Sequence, residues 1–216
     1  MLDLKDYEII QKIGEGSFGE VFKIKNKKTG DIHAAKIFLK IFDETTRTNI
    51  RDLKREINII SKINYLCILH FIGFSLTDFN HNKLPVIITQ LMKNGSLRDI
   101  INLERRSIST QNWVDNRKLI NIYGISSAML FLHQNKIIHR DLKPDNILMD
   151  EYLFPQISGF GLSKILHTND EILSSSSTNC IKGTPVYVAP ETWDKGEYSP
   201  AVDVYAFGFI KYEIMT

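Results

Sequence analysis

Gly14-Glu15-Gly16-Ser17-Phe18-Gly19-Glu20-Val21-Phe22-Lys23-Ile24-Lys25 is the stretch on which the fold turns. Its GxGxxG spacing suits a loop that brings backbone N–H groups close to phosphate oxygens, because glycine has no Cβ to hold a ligand off. The string alone is a weak sign, since several glycine-rich loops share it. The residues after the third glycine discriminate between them. A dinucleotide-binding turn opens a helix there, with an acidic residue about twenty positions on. Here residues alternate from Val21 to Lys25 with the period of a strand. The loop therefore joins two antiparallel strands, and such a hairpin can lie over phosphates. Taken alone, the string fits a glycine-rich hairpin of no function equally well.

Outward from the hairpin, Tyr7–Ile13 and Glu20–Lys25 read as its two strands. Asn26-Lys27-Lys28-Thr29-Gly30-Asp31 is a turn, and His33–Phe38 is a third strand. From Thr48 to Ile63 the period becomes helical, with Ile50, Leu53, Ile57 and Ile60 as the stripe. Leu69–Phe74 and Pro85–Leu91 read as two further strands. After Asn94-Gly95 the character is helical, most clearly through Leu119, Ile122, Ile125, Met129 and Leu132. Residues 157–191 are rich in Gly, Pro and Ser and are expected to form a long loop with little regular structure. Val202–Met215, apolar almost all the way round, reads as a buried helix. A β-rich front and an α-rich back predict an α+β chain in two parts, divided near Met92–Gly95.

Composition narrows the function. The chain has 216 residues, 43% hydrophobic and 24% charged, an ordinary globular make-up. Its 27 basic and 25 acidic residues leave a net charge of +2, which excludes a polybasic nucleic-acid binder. Two cysteines far apart, Cys67 and Cys180, give neither a disulfide framework nor a zinc spacing and point to a reducing compartment. The N-terminus is too polar for a signal peptide, and the most apolar stretches, 122–132 and 202–210, are too short to span a bilayer. A cytoplasmic protein without a membrane span is expected.

Four further elements come after the glycine loop in order. Ala34-Ala35-Lys36 ends the third strand, and Glu56 lies on the next helix. His139-Arg140-Asp141-Leu142-Lys143-Pro144-Asp145-Asn146 comes after the long helix, and Ala189-Pro190-Glu191 closes the long loop. In order and spacing this set resembles the protein-kinase signature, from Tyr7 to the end of the chain. Phe71-Ile72-Gly73-Phe74 and Asn94-Gly95-Ser96-Leu97 are most similar to the tyrosine-kinase-like group of serine/threonine kinases.

The resemblance implies a bilobal kinase-like fold, with residues 1–92 as the β-rich lobe and 93–216 as part of the helical lobe. ATP and magnesium would be the cofactors, with ATP bound between the lobes. The partner would be a protein substrate, or a protein bound by a kinase-like scaffold. Lys36, oriented by Glu56, would hold the α- and β-phosphates under Gly14, Gly16 and Gly19. Ile13, Val21, Ala34 and Leu148 fall where the family encloses adenine. Thr89 matches the gatekeeper, and Gln90, Leu91 and Met92 the hinge. Asp141 would accept the proton of the substrate hydroxyl, Lys143 would steady the transferred phosphate, and Asn146 would offer magnesium an amide oxygen. Lys143 and Thr184 match the serine/threonine class. His139 is expected to pack with Phe160, Ile60 and Phe71 rather than to react. Arg140 resembles the arginine that pairs with a phosphorylated loop residue, and residues 174–178 offer four serines and a threonine.

Two features depart from the family pattern. Gly159-Phe160-Gly161 stands where Asp-Phe-Gly is expected, so the carboxylate that binds magnesium is missing. A loss of roughly 10²–10⁴ in rate is expected, at about 1.36 kcal/mol per decade. Asp203-Val204-Tyr205-Ala206-Phe207-Gly208 resembles the start of the helix beneath the catalytic loop, with Asp203 capping the His139–Asp141 backbone. The sequence ends with that helix at Thr216, so the family's remaining helices, and the arginine that pairs with Glu191, are expected to be lacking.

Overall fold

The alternating stretches form strands, and their register decides which side chains share a face. The computed structural model describes residues 1–16, 19–38, 47–108, 112–166, 173–174, 184–195 and 197–216. Ser17, Phe18, residues 175–178 and Cys180 therefore lie outside the described residues, as do the readings placed on them. The described chain divides into two units, Met1–Asn64 with Leu69–Met92 and Tyr65–Ile68 with Lys93–Thr216.

In the first unit, β1 (Tyr7–Gly16), β2 (Gly19–Asn26), β3 (Ile32–Phe38), β4 (Phe71–Ser75) and β5 (Val86–Gln90) form one antiparallel sheet in the order β1-β2-β3-β5-β4. Helix α1 (Arg47–Ile60) joins β3 to β4. One sheet face carries the core: Ile24, Ala35, Ile37, Val86 and Ile88 are buried there with Leu4 and Tyr7. Each large apolar side chain so buried contributes about 1.5–3 kcal/mol. At Gly19 β2 leaves no room for a side chain: a Cβ there would stand 1.9 Å from the Ile37 carbonyl oxygen. In α1 the buried face runs through Leu53, Glu56, Ile59 and Ile60, so Glu56 is carried inward with the apolar stripe.

The second unit is mainly helical. It contains α2 (Leu97–Arg105) and α3 (Asp115–Gln134), then the short strands β6 (Ile137–Ile138), β7 (Ile147–Met149), β8 (Pro155–Ile157), β9 (Lys164–Ile165) and β10 (Leu173–Ser174). The helix α4 (Pro190–Lys195), the strand β11 (Glu197–Tyr198) and the helix α5 (Ala201–Met215) complete it. The strands pair β6 with β9, β7 with β8 and β10 with β11. The expected long loop thus holds, among its described residues, several short regular pieces. Helix α2 opens with a capping box in which the Ser96 hydroxyl accepts from the Asp99 N–H and the Asp99 carboxylate accepts from the Ser96 N–H. Residues Tyr65–Ile68 pack here. The Tyr65 ring stacks on Phe131 of α3 at 4.4 Å, and its hydroxyl lies 2.7 Å from Ser127 Oγ. Ile157 donates its N–H to the Cys67 carbonyl at 2.9 Å.

Two expectations about helix faces need correction. Leu119, read as part of the buried stripe of α3, is 56% exposed. Polar pairs turn the helix: Lys118 is buried against Glu104 at 2.6 Å, and buried Asn121 donates to the Leu153 carbonyl at 2.9 Å. The helix α5 is not buried all round. Val202, Asp203, Ala206, Ile210 and Ile214 face inward, whereas Val204, Tyr205, Phe209, Tyr212 and Met215 are exposed.

Candidate functional site

The first unit assembles one group of the expected residues by register alone. Gly14 pairs with Val21, Val21 with Lys36, and Ala34 with Thr89. Paired residues share a face and alternate residues return to it, so Gly14, Val21, Ala34, Lys36 and Thr89 all lie on the face opposite the core. Val21, Ala34 and Thr89 are half-buried, Gln90 is exposed and Met92 is buried. Ile13 occupies a bulge between Lys12 and Gly14, unpaired in the ladder and 42% exposed. Lys36 lies 3.7 Å from the carboxylate of Glu56, and its Nζ stands 4.6 Å from the Phe38 ring centroid. The arrangement presents Lys36, held by a buried carboxylate, on a face that it shares with Val21, Ala34, Thr89 and the half-buried Lys23.

In the second unit the segment after β6 is built around Asp203. That carboxylate, 1% exposed, accepts the backbone N–H groups of His139 and Arg140, each at 2.8 Å, and lies 2.9 Å from His133 Nε2. Arg140 has φ +69°, a left-handed conformation that costs an ordinary residue about 1–2 kcal/mol and here is held by that carboxylate. Its guanidinium lies over the Tyr198 ring at 3.8 Å. His139 packs edge-on against Phe160 at 5.1 Å, and its Nε2 lies 2.8 Å from the Ser158 carbonyl, so it is a buried structural residue.

Asp141, Lys143, Asn146 and Thr184 converge. Lys143 Nζ donates to Thr184 Oγ1 at 2.9 Å and lies 3.4 Å from Asp141 Oδ2. Asn146 Nδ2 donates to the Asp141 carbonyl at 2.6 Å and to its carboxylate at 2.9 Å. Leu148 lies just beyond on β7, half-buried. Gly159 has φ +81°, and a Cβ there would meet the Asn146 side chain at 2.6–2.9 Å. The room a side chain at 159 would need is therefore filled by Asn146, which is turned onto Asp141. Among the described residues no cluster of three His, Cys, Asp or Glu side chains forms a metal site.

A network that no sequence motif announces lies near these residues. Arg98 on α2 donates to Glu213 on α5 at 2.8 Å and to the Tyr187 hydroxyl, which in turn donates to Glu213 at 2.7 Å. Asp145 is 3.5 Å from Arg98 Nε. Burial and then the Glu213 carboxylate push the Tyr187 hydroxyl up to about 12. Burial opposes the Arg98 charge, but Glu213 and Tyr187 together hold that charge above its ordinary strength. A tyrosine more basic in the folded than in the unfolded chain stabilises the fold below its unfolded pKa of about 10, and that stability is lost as pH rises through the folded value. Tyr187→Phe is expected to flatten the fall in stability between about pH 10 and 12. Urea unfolding of both proteins across that range measures it, and parallel pH profiles would refute the assignment.

Comparison with known proteins gives one consistent answer. The sequence profile described as the protein kinase domain matches residues 7–216. The chain is 35% identical to cysteine-rich receptor-like protein kinase 10 of Oryza sativa subsp. japonica, over 95% of this chain and 30% of that protein. It is 32% identical to the serine/threonine-protein kinase TIO of Arabidopsis thaliana, over 99% of this chain and 15% of that protein. It is 31% identical to serine/threonine-protein kinase 36 of Pongo abelii, over 98% and 15% respectively. The chain thus spans less than a third of the length of these curated relatives. No helix among the described residues is long and apolar enough to cross a membrane.

Proposed function

Because this chain belongs to the protein kinase domain family, we propose that it is an ATP-binding serine/threonine kinase domain with impaired transfer of the γ-phosphate to protein Ser or Thr. Support for nucleotide binding comes from the sheet face that collects Gly14, Val21, Ala34, Lys36 and Thr89. Ile13, Gly16, Gly19, Gln90, Met92 and Leu148 complete the proposed binding set. Lys36, kept in place by Glu56, holds phosphate oxygens. Asp141 accepts the hydroxyl proton, and Lys143, anchored on Thr184, faces the transferred group.

The observation that carries the impairment is Gly159, which places no carboxylate beside Asn146. Magnesium in this family neutralises the phosphate charge that builds during transfer. The ion prefers carboxylates and water in a near-octahedral shell. Position 159 supplies no oxygen ligand from its side chain, and Asn146, whose amide N–H donates to Asp141, offers only a neutral amide oxygen, so the donor set lacks the carboxylate that ion prefers. A second reading, a kinase-like scaffold that holds nucleotide and presents a surface to a protein partner, is favoured by the same geometry. In either reading the domain belongs to the tyrosine-kinase-like group, on the motifs at 71–74 and 94–97, and works in the cytoplasm, where the buried free thiol of Cys67 stays reduced.

ATP is expected to raise the melting temperature of the chain by the same amount with and without magnesium. Transfer to a generic Ser/Thr substrate should be weak, and Asp141→Asn should abolish it while leaving the ATP shift in place. A melting shift that requires magnesium, together with robust transfer, would overturn the impairment. No ATP shift under either condition would overturn the nucleotide site.

A further inference from the structure

Register places Glu15 directly opposite Glu20 on the rung next to Gly16–Gly19. Two like charges facing each other across an antiparallel pair push the strands apart. Both lie where β1 and β2 approach the loop, so their repulsion would open the rungs that hold the glycines. Lys12 answers this. Its Nζ lies 2.6 Å from Glu15 Oε2 and 2.6 Å from Glu20 Oε1, bridging the two strands.

The bulge at Ile13 makes the bridge possible. Strict alternation would put Lys12 and Glu15 on opposite faces, three residues apart. The shift between Lys12 and Gly14 absorbs one residue, so Lys12 pairs with Phe22 while Glu15 pairs with Glu20. Phe22 and Glu20 are alternate residues of β2, and all four side chains therefore share one face. Val21, paired with Gly14 and Lys36, is on the other. The bridge thus braces the hairpin from the face away from Val21 and Lys36, and leaves that face open to a ligand.

We infer that Lys12 is a positioning residue for nucleotide binding, a cross-strand brace that holds the Glu15–Glu20 rung closed so that the glycine backbone stays aligned with the phosphates. This rests on the nucleotide-binding reading above. The proton affinities agree: hydrogen bonds to Glu15 and Glu20 hold the Lys12 ammonium above its ordinary pKa, and the bond to Lys12 holds Glu15 below its own. Lys12 and Glu15 are exposed and Glu20 is half-buried, so the brace is a device for alignment rather than for global stability.

The test has two arms on the full chain. In the first, hydrogen exchange of the free protein follows the backbone amides of the β1–β2 hairpin. Lys12→Met should speed exchange at Glu15, Gly16, Gly19 and Glu20 and leave the melting temperature unchanged, and Lys12→Arg should keep the wild-type pattern. In the second, titration compares ATP with adenosine, which has no phosphates. Lys12→Met should weaken ATP by about three- to tenfold, the scale of one or two exposed ion pairs. Adenosine should be unaffected, and the difference should shrink at about 0.5 M salt, where the Debye length is only a few ångströms. Adding Glu15→Gln and Glu20→Gln to Lys12→Met should restore ATP binding, because the repulsion has gone. Unchanged exchange in Lys12→Met overturns the brace. Faster exchange with equal ATP affinity, or with equal losses for ATP and adenosine, overturns its role toward phosphates. A wild-type chain that binds neither ligand refutes the nucleotide site, while the exchange arm still decides the brace.

Discussion

Gly159→Asp is expected to make the ATP melting shift depend on magnesium and to raise Ser/Thr transfer by about 10²–10⁴-fold, several kcal/mol of transition-state charge stabilisation. The gain has a structural condition. A Cβ at 159 would lie 2.6 Å from Asn146 Cγ, so Asn146 must swing off the Asp141 carboxylate to admit the new side chain. The left-handed backbone at 159, with φ +81°, adds a cost of about 1 kcal/mol in stability, modest because Asp tolerates that region better than most residues. Gly159→Ala separates the two effects. It displaces Asn146 in the same way but brings no oxygen, so it should lose stability without gaining transfer. Asp141→Asn in the Gly159→Asp background should remove the gain, because the proton acceptor is gone. Robust magnesium-dependent transfer by the unaltered chain would contradict this account. So would a Gly159→Asp protein that melts cooperatively yet transfers no better than wild type.

The second large effect belongs to Asp203. Asp203→Ala strips the acceptor from two backbone N–H groups, those of His139 and Arg140, and from His133. Leaving such groups buried and unpaired should cost about 3–5 kcal/mol. For a chain of this size that is a drop of roughly 10 °C in melting temperature. It also frees Arg140 to leave its left-handed conformation, and with it the alignment of Asp141. Asp203→Asn keeps one oxygen but turns an N–H toward the second donor, so about half the loss is expected. Calorimetry of the three proteins measures the series. An Asp203→Ala protein melting within about 2 °C of wild type would show that the loop is held by other means.

How far the sequence could be read depended on the range of the interactions. The β1–β2 hairpin was legible because alternation after Gly19 is a local signal, and Lys36, Asp141 and Asn146 because they stand in ordered motifs. Register then placed Val21, Ala34 and Thr89 on one face with Lys36. Helix α2 shows only helical character in its hydrophobic pattern, whereas Ser96 and Asp99 have the spacing of a capping box that locates its start. Leu119 departs from the stripe of α3 because Glu104 draws Lys118 inward, which hydrophobicity alone cannot anticipate. Arg98 and Glu213 are 115 residues apart, and no local pattern announces that they meet at Tyr187. Gly159 was visible as a missing carboxylate. That Asn146 fills the room it leaves is a matter of packing, which one-dimensional spacing does not encode.

The placement of Tyr65–Ile68 has a consequence for how the chain is made. These four residues belong with the second unit, while the segments on either side of them belong with the first. The nascent chain therefore releases them long before their partners exist. Phe131 and Ile157 leave the ribosome about 65 to 90 residues later, a wait of about 3–18 s at roughly 5–20 residues per second. During that interval the Tyr65 ring and the Cys67 thiol have no α3 to pack on. A premature stop near residue 92 would yield a polypeptide with these groups still unpartnered. Beginning synthesis at residue 93 would leave Phe131 and the Ile157 N–H without theirs. Vectorial folding of this protein is thus a relay: a short early segment is held in reserve and collected by a helix made much later.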